Sequence, residues 1–153
     1  MNRLREGRKR PIPYFGNYSL FTIHYYLRRH ESGKEYNMKD SILLTKAKTF
    51  ALRIVRLYKY LRDRKESVIA KQMLRAGTSI GANIAESRYA QSKSDFTAKL
   101  QIALKEAAET QYWLELLRDA ELVKSDKAFT SLCDDCTELI KLLTSSVKTA
   151  KAR

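Results

Sequence analysis

Proline and histidine are missing from most of this chain of 153 residues. Both prolines, Pro11 and Pro13, and both histidines, His24 and His30, lie near the N-terminus. Proline breaks helices because it lacks a backbone N–H and clashes with the preceding turn, so its absence permits long helices. Histidine is the commonest general base and metal ligand. The remainder of the chain therefore favours an all-helical protein and offers little for catalysis or metal binding.

Long apolar runs are also missing, so the sequence contains no candidate transmembrane helix. The basic N-terminus is not followed by an apolar segment with a small-residue cleavage site, and we therefore expect no signal peptide. The content of 44% hydrophobic and 31% charged residues is typical of a soluble globular protein. A single domain of this length can bury a proper core. We expect a cytoplasmic protein with no membrane contact.

Cysteine is limited to Cys133 and Cys136, which form a C-x-x-C pattern late in the chain. A thioredoxin-like site needs a strand-to-helix turn before the pattern, and here a helical pattern surrounds it. A zinc site would need two further ligands. We predict two reduced cysteines in or beside a helical core, with no metal and no cofactor.

Motifs of the common enzyme classes are absent: there is no P-loop, nucleophile elbow, zinc-protease motif or dinucleotide fingerprint. Glu106 and Glu109 lie on one side of a predicted helix, as carboxylates do in di-iron bundles. Such bundles need Glu-x-x-His pairs, which this region lacks. We interpret the two as a solvated or salt-bridged face in which Lys105 and Glu109 pair across one turn. No enzymatic activity is predicted.

Four segments with the apolar period of a helix follow Met38 and are separated by short polar breaks. The second runs from about Ser67 to Tyr89, Ser92 opens the third as a helix cap, and the fourth begins near Ser125. These patterns predict an all-α protein, an antiparallel up-down-up-down four-helix bundle over residues 38–153. The predicted inward residues of the first and third segments are Leu43, Ala47, Phe50, Ile54, Leu57 and Leu61, and Phe96, Leu100, Ala103, Ala107, Thr110, Leu114 and Leu117.

Residues 1–37 differ from the rest and form a predicted N-terminal extension. They hold three of the five glycines and seven of the fifteen aromatic residues, and they show no sustained helical period. We expect this basic extension to be poorly ordered. It is open to three interpretations: a loosely ordered tail, a nucleic-acid contact in which aromatic rings stack on bases, or sequence upstream of a true start at Met38.

The net charge of +13 is concentrated in the first helical segment, because residues 39–65 hold nine Lys and Arg but only two Asp and Glu. A concentrated basic face favours an anionic polymer as partner. An acidic protein partner and a merely solubilising role remain as alternatives. The predicted phosphate contacts are Lys39, Lys46, Lys48, Arg53, Arg56, Lys59 and Arg62.

The stretch LRAGTSIGANIAES places two glycines four residues apart inside a predicted helix. Each costs about 1 kcal/mol relative to alanine, and close approach of a neighbouring backbone would explain that cost. A polar stripe adjoins them, and its asparagine is suited to fixing the register between helices. We favour packing and subunit assembly over a ligand or nucleic-acid site for this stretch. The residues concerned are Arg75, Gly77, Ser79, Gly81, Asn83 and Glu86.

Three stretches together carry a family resemblance: SILLTKAKTFALRIVRLYKYL, KQMLRAGTSIGANIAES and SDFTAKLQIALKEAAETQYWLELL. Over residues 40–145 the chain resembles the four-helix-bundle proteins encoded by intervening sequences of bacterial 23S ribosomal RNA genes. The accessory variability protein of diversity-generating retroelements belongs to the same group.

The resemblance implies a homo-pentameric barrel with a positively charged surface, and in the retroelement branch it implies binding of nucleic acid and of a reverse transcriptase. We therefore expect a non-enzymatic homo-oligomer that binds RNA or DNA. The alternative is an accessory module that docks a reverse transcriptase or another acidic protein.

Overall fold

The computed structural model describes residues 42–152, which form four helices. Helix α1 spans Ile42–Asp63, α2 spans Ser67–Ser87, α3 spans Lys93–Asp119 and α4 spans Lys127–Ala152. Each helix packs on its neighbours in the sequence, and α4 returns to pack on α1. The fold is the antiparallel up-down-up-down four-helix bundle that the sequence predicts. The predicted N-terminal extension lies outside the described residues.

The core consists of the apolar stripes on the four helices. In α1 the side chains of Ala47, Phe50, Ile54 and Leu61 are at most 1% exposed. The predicted stripe of α3 is buried from Leu100 to Leu117, while Phe96 is half-buried at its start. None of the described helices is both long enough and apolar enough to cross a membrane.

Side-chain caps define where α3 and α4 begin. The hydroxyl of Ser92 accepts a hydrogen bond from the N–H of Asp95 at 3.1 Å, as the sequence predicts. The Asp95 carboxylate reaches back one residue beyond the cap and accepts from the N–H of Gln91 at 3.0 Å. Helix α4 begins two residues later than predicted, because the carboxylate of Asp126 accepts from the N–H of Phe129 at 2.9 Å and caps it.

Helices α1 and α3 both terminate at a residue in the left-handed conformation that is not glycine: Lys65, with φ 68°, and Glu121, with φ 55°. The N–H of Lys65 donates to the Arg62 carbonyl at 2.9 Å, and the N–H of Glu66 donates to the Leu61 carbonyl at 3.0 Å. The end of α3 has the same pair of hydrogen bonds. These Schellman motifs satisfy the last carbonyl groups of each helix and reverse the chain.

Candidate nucleic-acid interface

The outer face of α1 carries three exposed cations, Lys48, Arg56 and Lys59. Their spacing of eight and three residues aligns them along one side of the helix. None of the three forms an ion pair with another described residue. At ~1.5 Å per residue they span about 17 Å of helix. That length matches about five phosphates along one strand of a duplex.

Lys46 and Arg53, two of the predicted phosphate contacts, interact with α4 in this structure, and their contact with phosphate stays a prediction. The ammonium of Lys46 lies 2.8 Å from the Glu138 carboxylate. The guanidinium of Arg53 contacts the Asp135 carboxylate and also donates to the carbonyl oxygen of Ala128 at 2.8 Å. The Arg53 contact is the less exposed of the two, and charge-assisted hydrogen bonds of a guanidinium are directional and strong. Both cations therefore join α1 to α4, and acidic residues neutralise their charge.

The last turn of α1 adds further positive charge. The guanidinium of Arg62 pairs with Asp63 at 2.8 Å, and this hydrogen bond raises the pKa of Arg62. Beyond the helix, Arg64 and Lys65 are exposed, and the Arg64 guanidinium lies 5.2 Å from the centre of the Tyr60 ring. Lys39, the remaining predicted contact, lies outside the described residues.

The first residue of the predicted polar stripe of α2, Arg75, forms an ion pair with a residue of the same chain. The Arg75 guanidinium lies 2.7 Å from the Glu109 carboxylate of α3. The same carboxylate oxygen accepts from the indole N–H of Trp113 at 3.1 Å. Glu109 therefore bonds across the helix pair, whereas the sequence spacing had indicated Lys105 as its partner.

The other polar residues of the stripe also form ion pairs or hydrogen bonds within the chain. Glu86 pairs with Lys99 of α3 at 2.6 Å, and this hydrogen bond raises the pKa of Lys99. The side-chain amide of Asn83 donates to the Ser79 carbonyl at 2.9 Å and to its hydroxyl at 3.1 Å. The stripe thus joins α2 to α3 and stabilises its own helix. Its role in assembly stays a prediction.

Gly77 and Gly81 both face α1 of the same chain, but only Gly77 requires the absence of a side chain. A Cβ atom at Gly77 would lie 2.9 Å from both Cγ atoms of Ile54, which is fully buried. At Gly81 the nearest atoms belong to Ala47 and lie 3.8 Å away, an ordinary contact distance. The predicted close approach of a neighbouring backbone is therefore not found: the close neighbour of Gly77 is the Ile54 side chain, and the backbone beside Gly81 lies at an ordinary contact distance.

The two cysteines lie on the core side of α4. Cys136 is buried, and burial raises the pKa of its thiol to about 12. Cys133 is half-buried, and burial raises its pKa as well. Both thiols are protonated near neutral pH, a state unsuited to nucleophilic attack or metal binding. Within residues 42–152, no group of three or more His, Cys, Asp and Glu could hold a metal ion.

Helix α3 has a second apolar feature, which the spacing of its inward stripe does not reveal. Its outer face exposes Ile102 and Tyr112, with 40% and 57% of their surface accessible, alongside the exposed Ala98 and Ala108. Apolar residues on the outward face of a helix, in addition to those that face the core, indicate that another protein surface packs against that face. The sequence does contain a signal of this face: the segment LQIALKEAAETQYW has more apolar residues than one face of a helix can hold.

Comparisons with known proteins agree with this architecture. The family model of the 23S rRNA-intervening sequence protein matches residues 39–145. Among solved structures, the chain is similar to a protein with unknown function from the S23 ribosomal protein family of Bacteroides thetaiotaomicron. The two share 53% sequence identity and a TM-score of 0.67, over 70% of this chain and 99% of that chain. A search of curated proteins found no match.

Proposed function

Because the chain belongs to the family of 23S rRNA-intervening sequence proteins, we propose that it binds RNA or DNA through phosphate contacts on the outer face of α1. The proposed activity is binding without catalysis. The observation that carries the proposal is the alignment of Lys48, Arg56 and Lys59, which are exposed and form no ion pair within the described residues. Phosphates along a nucleic-acid strand would provide these three cations with anionic partners.

The proposal is tested by comparing the affinity of a variant that lacks these three charges with that of a variant that lacks three charges elsewhere. The variant Lys48→Gln/Arg56→Gln/Lys59→Gln lowers the net charge of +13 by three. At ~0.1 M salt, each lost phosphate contact weakens duplex binding by at most roughly 8-fold through counterion release. Fluorescence polarisation with labelled RNA and DNA duplexes measures the change in affinity.

Helix α4 supplies the matched control. The variant with Lys141, Lys148 and Lys151 all changed to Gln removes the same charge from exposed positions on another helix. We expect it to bind nearly as well as the wild type. Equal weakening by both variants would show that only net charge matters, and absence of binding by the wild-type protein at low salt would refute the proposal.

We further propose that the protein is a homo-oligomer, a pentamer as the family resemblance implies, and that the outer face of α3 contributes to its interface. The exposed Ile102 and Tyr112 support this assignment, since apolar side chains on an outward helix face gain from burial. Assembly would repeat the basic face of α1 around a ring and strengthen its field. In sedimentation, Ile102→Glu/Tyr112→Glu should reduce the oligomer to smaller species. Val68→Glu, at a still more exposed position on α2, should not.

A second candidate function is docking of a reverse transcriptase or another acidic protein. Leu52, whose surface is 53% exposed, lies between Lys48 and Arg56 on the same side of α1. A phosphate backbone gains nothing from a leucine, whereas a protein partner can bury it. Capture of a specific protein that survives nuclease treatment and is lost in Leu52→Glu would favour this function over nucleic-acid binding.

A further inference from the structure

An open cleft of about 600 Å³ adjoins the basic face, between the last turns of α1 and the start of α4. Its inner surface is apolar: Leu57 lines it from α1 and Leu132 from α4, with Phe129 beside them. Phe129 is 7% exposed and Leu132 is 4% exposed, so these side chains belong to the core and form a firm floor. A volume of this size falls in the range of about 300–1,000 Å³ that is typical of small-ligand sites.

Local hydrogen bonds maintain the shape of the cleft. Arg53 joins α1 to the start of α4 through Asp135 and the Ala128 carbonyl, so it forms part of the wall. On the other side, the left-handed Glu121 turns the chain out of α3, and Asp126 caps α4. Both walls are therefore preformed without a ligand, and binding would cost little ordering entropy.

The rim of the cleft is positively charged. Arg56, Arg64 and Lys124 line it and form no ion pair within the described residues. The acidic lining residue is Asp126, whose carboxylate accepts the N–H of Phe129 as the helix cap. The charge balance of the rim therefore favours an anionic ligand.

An aromatic ring completes the lining. Tyr60 borders the cleft with 42% of its surface exposed, and the Arg64 guanidinium lies over its ring. A ligand that matches this combination has a flat ring to stack on tyrosine and a negative group to meet the rim cations. A nucleotide has both, and base stacking on an aromatic side chain is a common mode of single-strand recognition.

We propose that the cleft binds an unpaired nucleotide of the nucleic acid held on α1, with the base against Tyr60 and the apolar floor and the phosphate between Arg56, Arg64 and Lys124. This inference rests on the proposed function and deepens it. Phosphate contacts alone do not separate single strands from duplexes. A base inside a duplex is stacked and paired, so the cleft selects unpaired loops, bulges and ends.

The test compares the full chain on an unstructured RNA of about 12 nucleotides and on the duplex formed with its complement. Tyr60→Ala should weaken single-strand binding about 10-fold, within the range of losses observed when one base loses an aromatic partner. Duplex affinity should stay unchanged, and Tyr60→Phe should restore single-strand binding. A matched control is Tyr89→Ala, because Tyr89 is exposed and follows α2 at the opposite end of the bundle.

The outcomes separate the cleft from the proposal it rests on. Wild-type protein that binds neither probe at low salt would overturn both. Binding of both probes with no effect of Tyr60→Ala, or with equal weakening on the two probes, would overturn the cleft site alone. A shift to a smaller species in sedimentation of Tyr60→Ala would assign the cleft to a second copy of the chain and would also overturn the inference. Single-stranded DNA of the same sequence should respond to Tyr60→Ala as the RNA does.

Discussion

Replacing each of the two glycines of α2 by alanine should change stability in opposite directions. Both substitutions gain about 1 kcal/mol of helix propensity, because alanine is the better helix former. At Gly81 the new methyl group meets Ala47 at 3.8 Å, so we expect Gly81→Ala to be stabilising by up to that amount. At Gly77 the new atom would lie 2.9 Å from two carbon atoms of Ile54, and overpacking of this kind typically costs about 1–3 kcal/mol.

The propensity gain is common to the two variants, so their difference in unfolding free energy measures the clash alone, about 1–3 kcal/mol. We expect a value near the upper end. Ile54 is fully buried and β-branched, and a single rotation about its χ1 angle moves one Cγ atom away only by moving the other. Urea denaturation followed by circular dichroism, at one protein concentration for all variants, gives both free energies.

A background without the clashing atoms provides the control. Ile54→Ala removes both Cγ atoms, so adding Gly77→Ala to it should be stabilising, as Gly81→Ala is in the wild type. Equal stabilisation by Gly77→Ala and Gly81→Ala in the wild-type background would contradict the predicted clash. An effect of Gly77→Ala that stays the same in the Ile54→Ala background would contradict it too.

Three further predictions concern helix ends, the α1–α4 contact and the buried thiol. Lys65→Gly and Glu121→Gly should each stabilise the fold by up to about 1 kcal/mol in urea denaturation, because glycine adopts the left-handed conformation without the strain of other residues; destabilisation would contradict this. Arg53→Met should lower the free energy of unfolding by about 1.5–3 kcal/mol, because its charged hydrogen bonds are lost. Lys46→Met should lower it by at most about 1 kcal/mol, because this ion pair is more exposed. Equal losses for the two variants would contradict this difference. Because burial raises the pKa of Cys136 from 9.0 to about 12, the unfolded thiol loses its proton first as pH rises. The contribution of this residue to stability should therefore be intact below pH 9 and fall between pH 9 and about 12. In Cys136→Ala, the free energy of unfolding should decrease less over this pH range than in the wild type. An equal decrease in both proteins would contradict this prediction.

The bundle could be predicted because apolar spacing alone determines which side of each helix turns inward. The stripe from Leu100 to Leu117 is buried as its spacing requires, and the cap at Ser92 follows from a local motif. The left-handed turns at Lys65 and Glu121 could not be recognised in the same way. Glycine is the usual residue at such positions, and neither lysine nor glutamate signals them.

The candidate interface was harder to predict because it depends on which helices are neighbours. Charge counting does not distinguish the cations of α1. Arg53 nevertheless contacts Asp135 of α4, whereas Arg56, three residues on, has no acidic partner within residues 42–152. The difference between Gly77 and Gly81 likewise depends on the register of α2 against α1. The cleft brings residues near 60 together with residues near 124 and 129, and no local pattern connects them.

The most direct measurement of phosphate binding by α1 is the salt dependence of duplex-DNA affinity for the wild type and for Lys48→Gln/Arg56→Gln/Lys59→Gln. Each phosphate neutralised contributes about 0.9 to the slope of log affinity against log salt concentration. We predict that the slope falls by about 2.7 for every subunit in contact with the duplex, while the α4 control keeps the wild-type slope. Equal slopes for the wild type and the α1 variant would contradict the account.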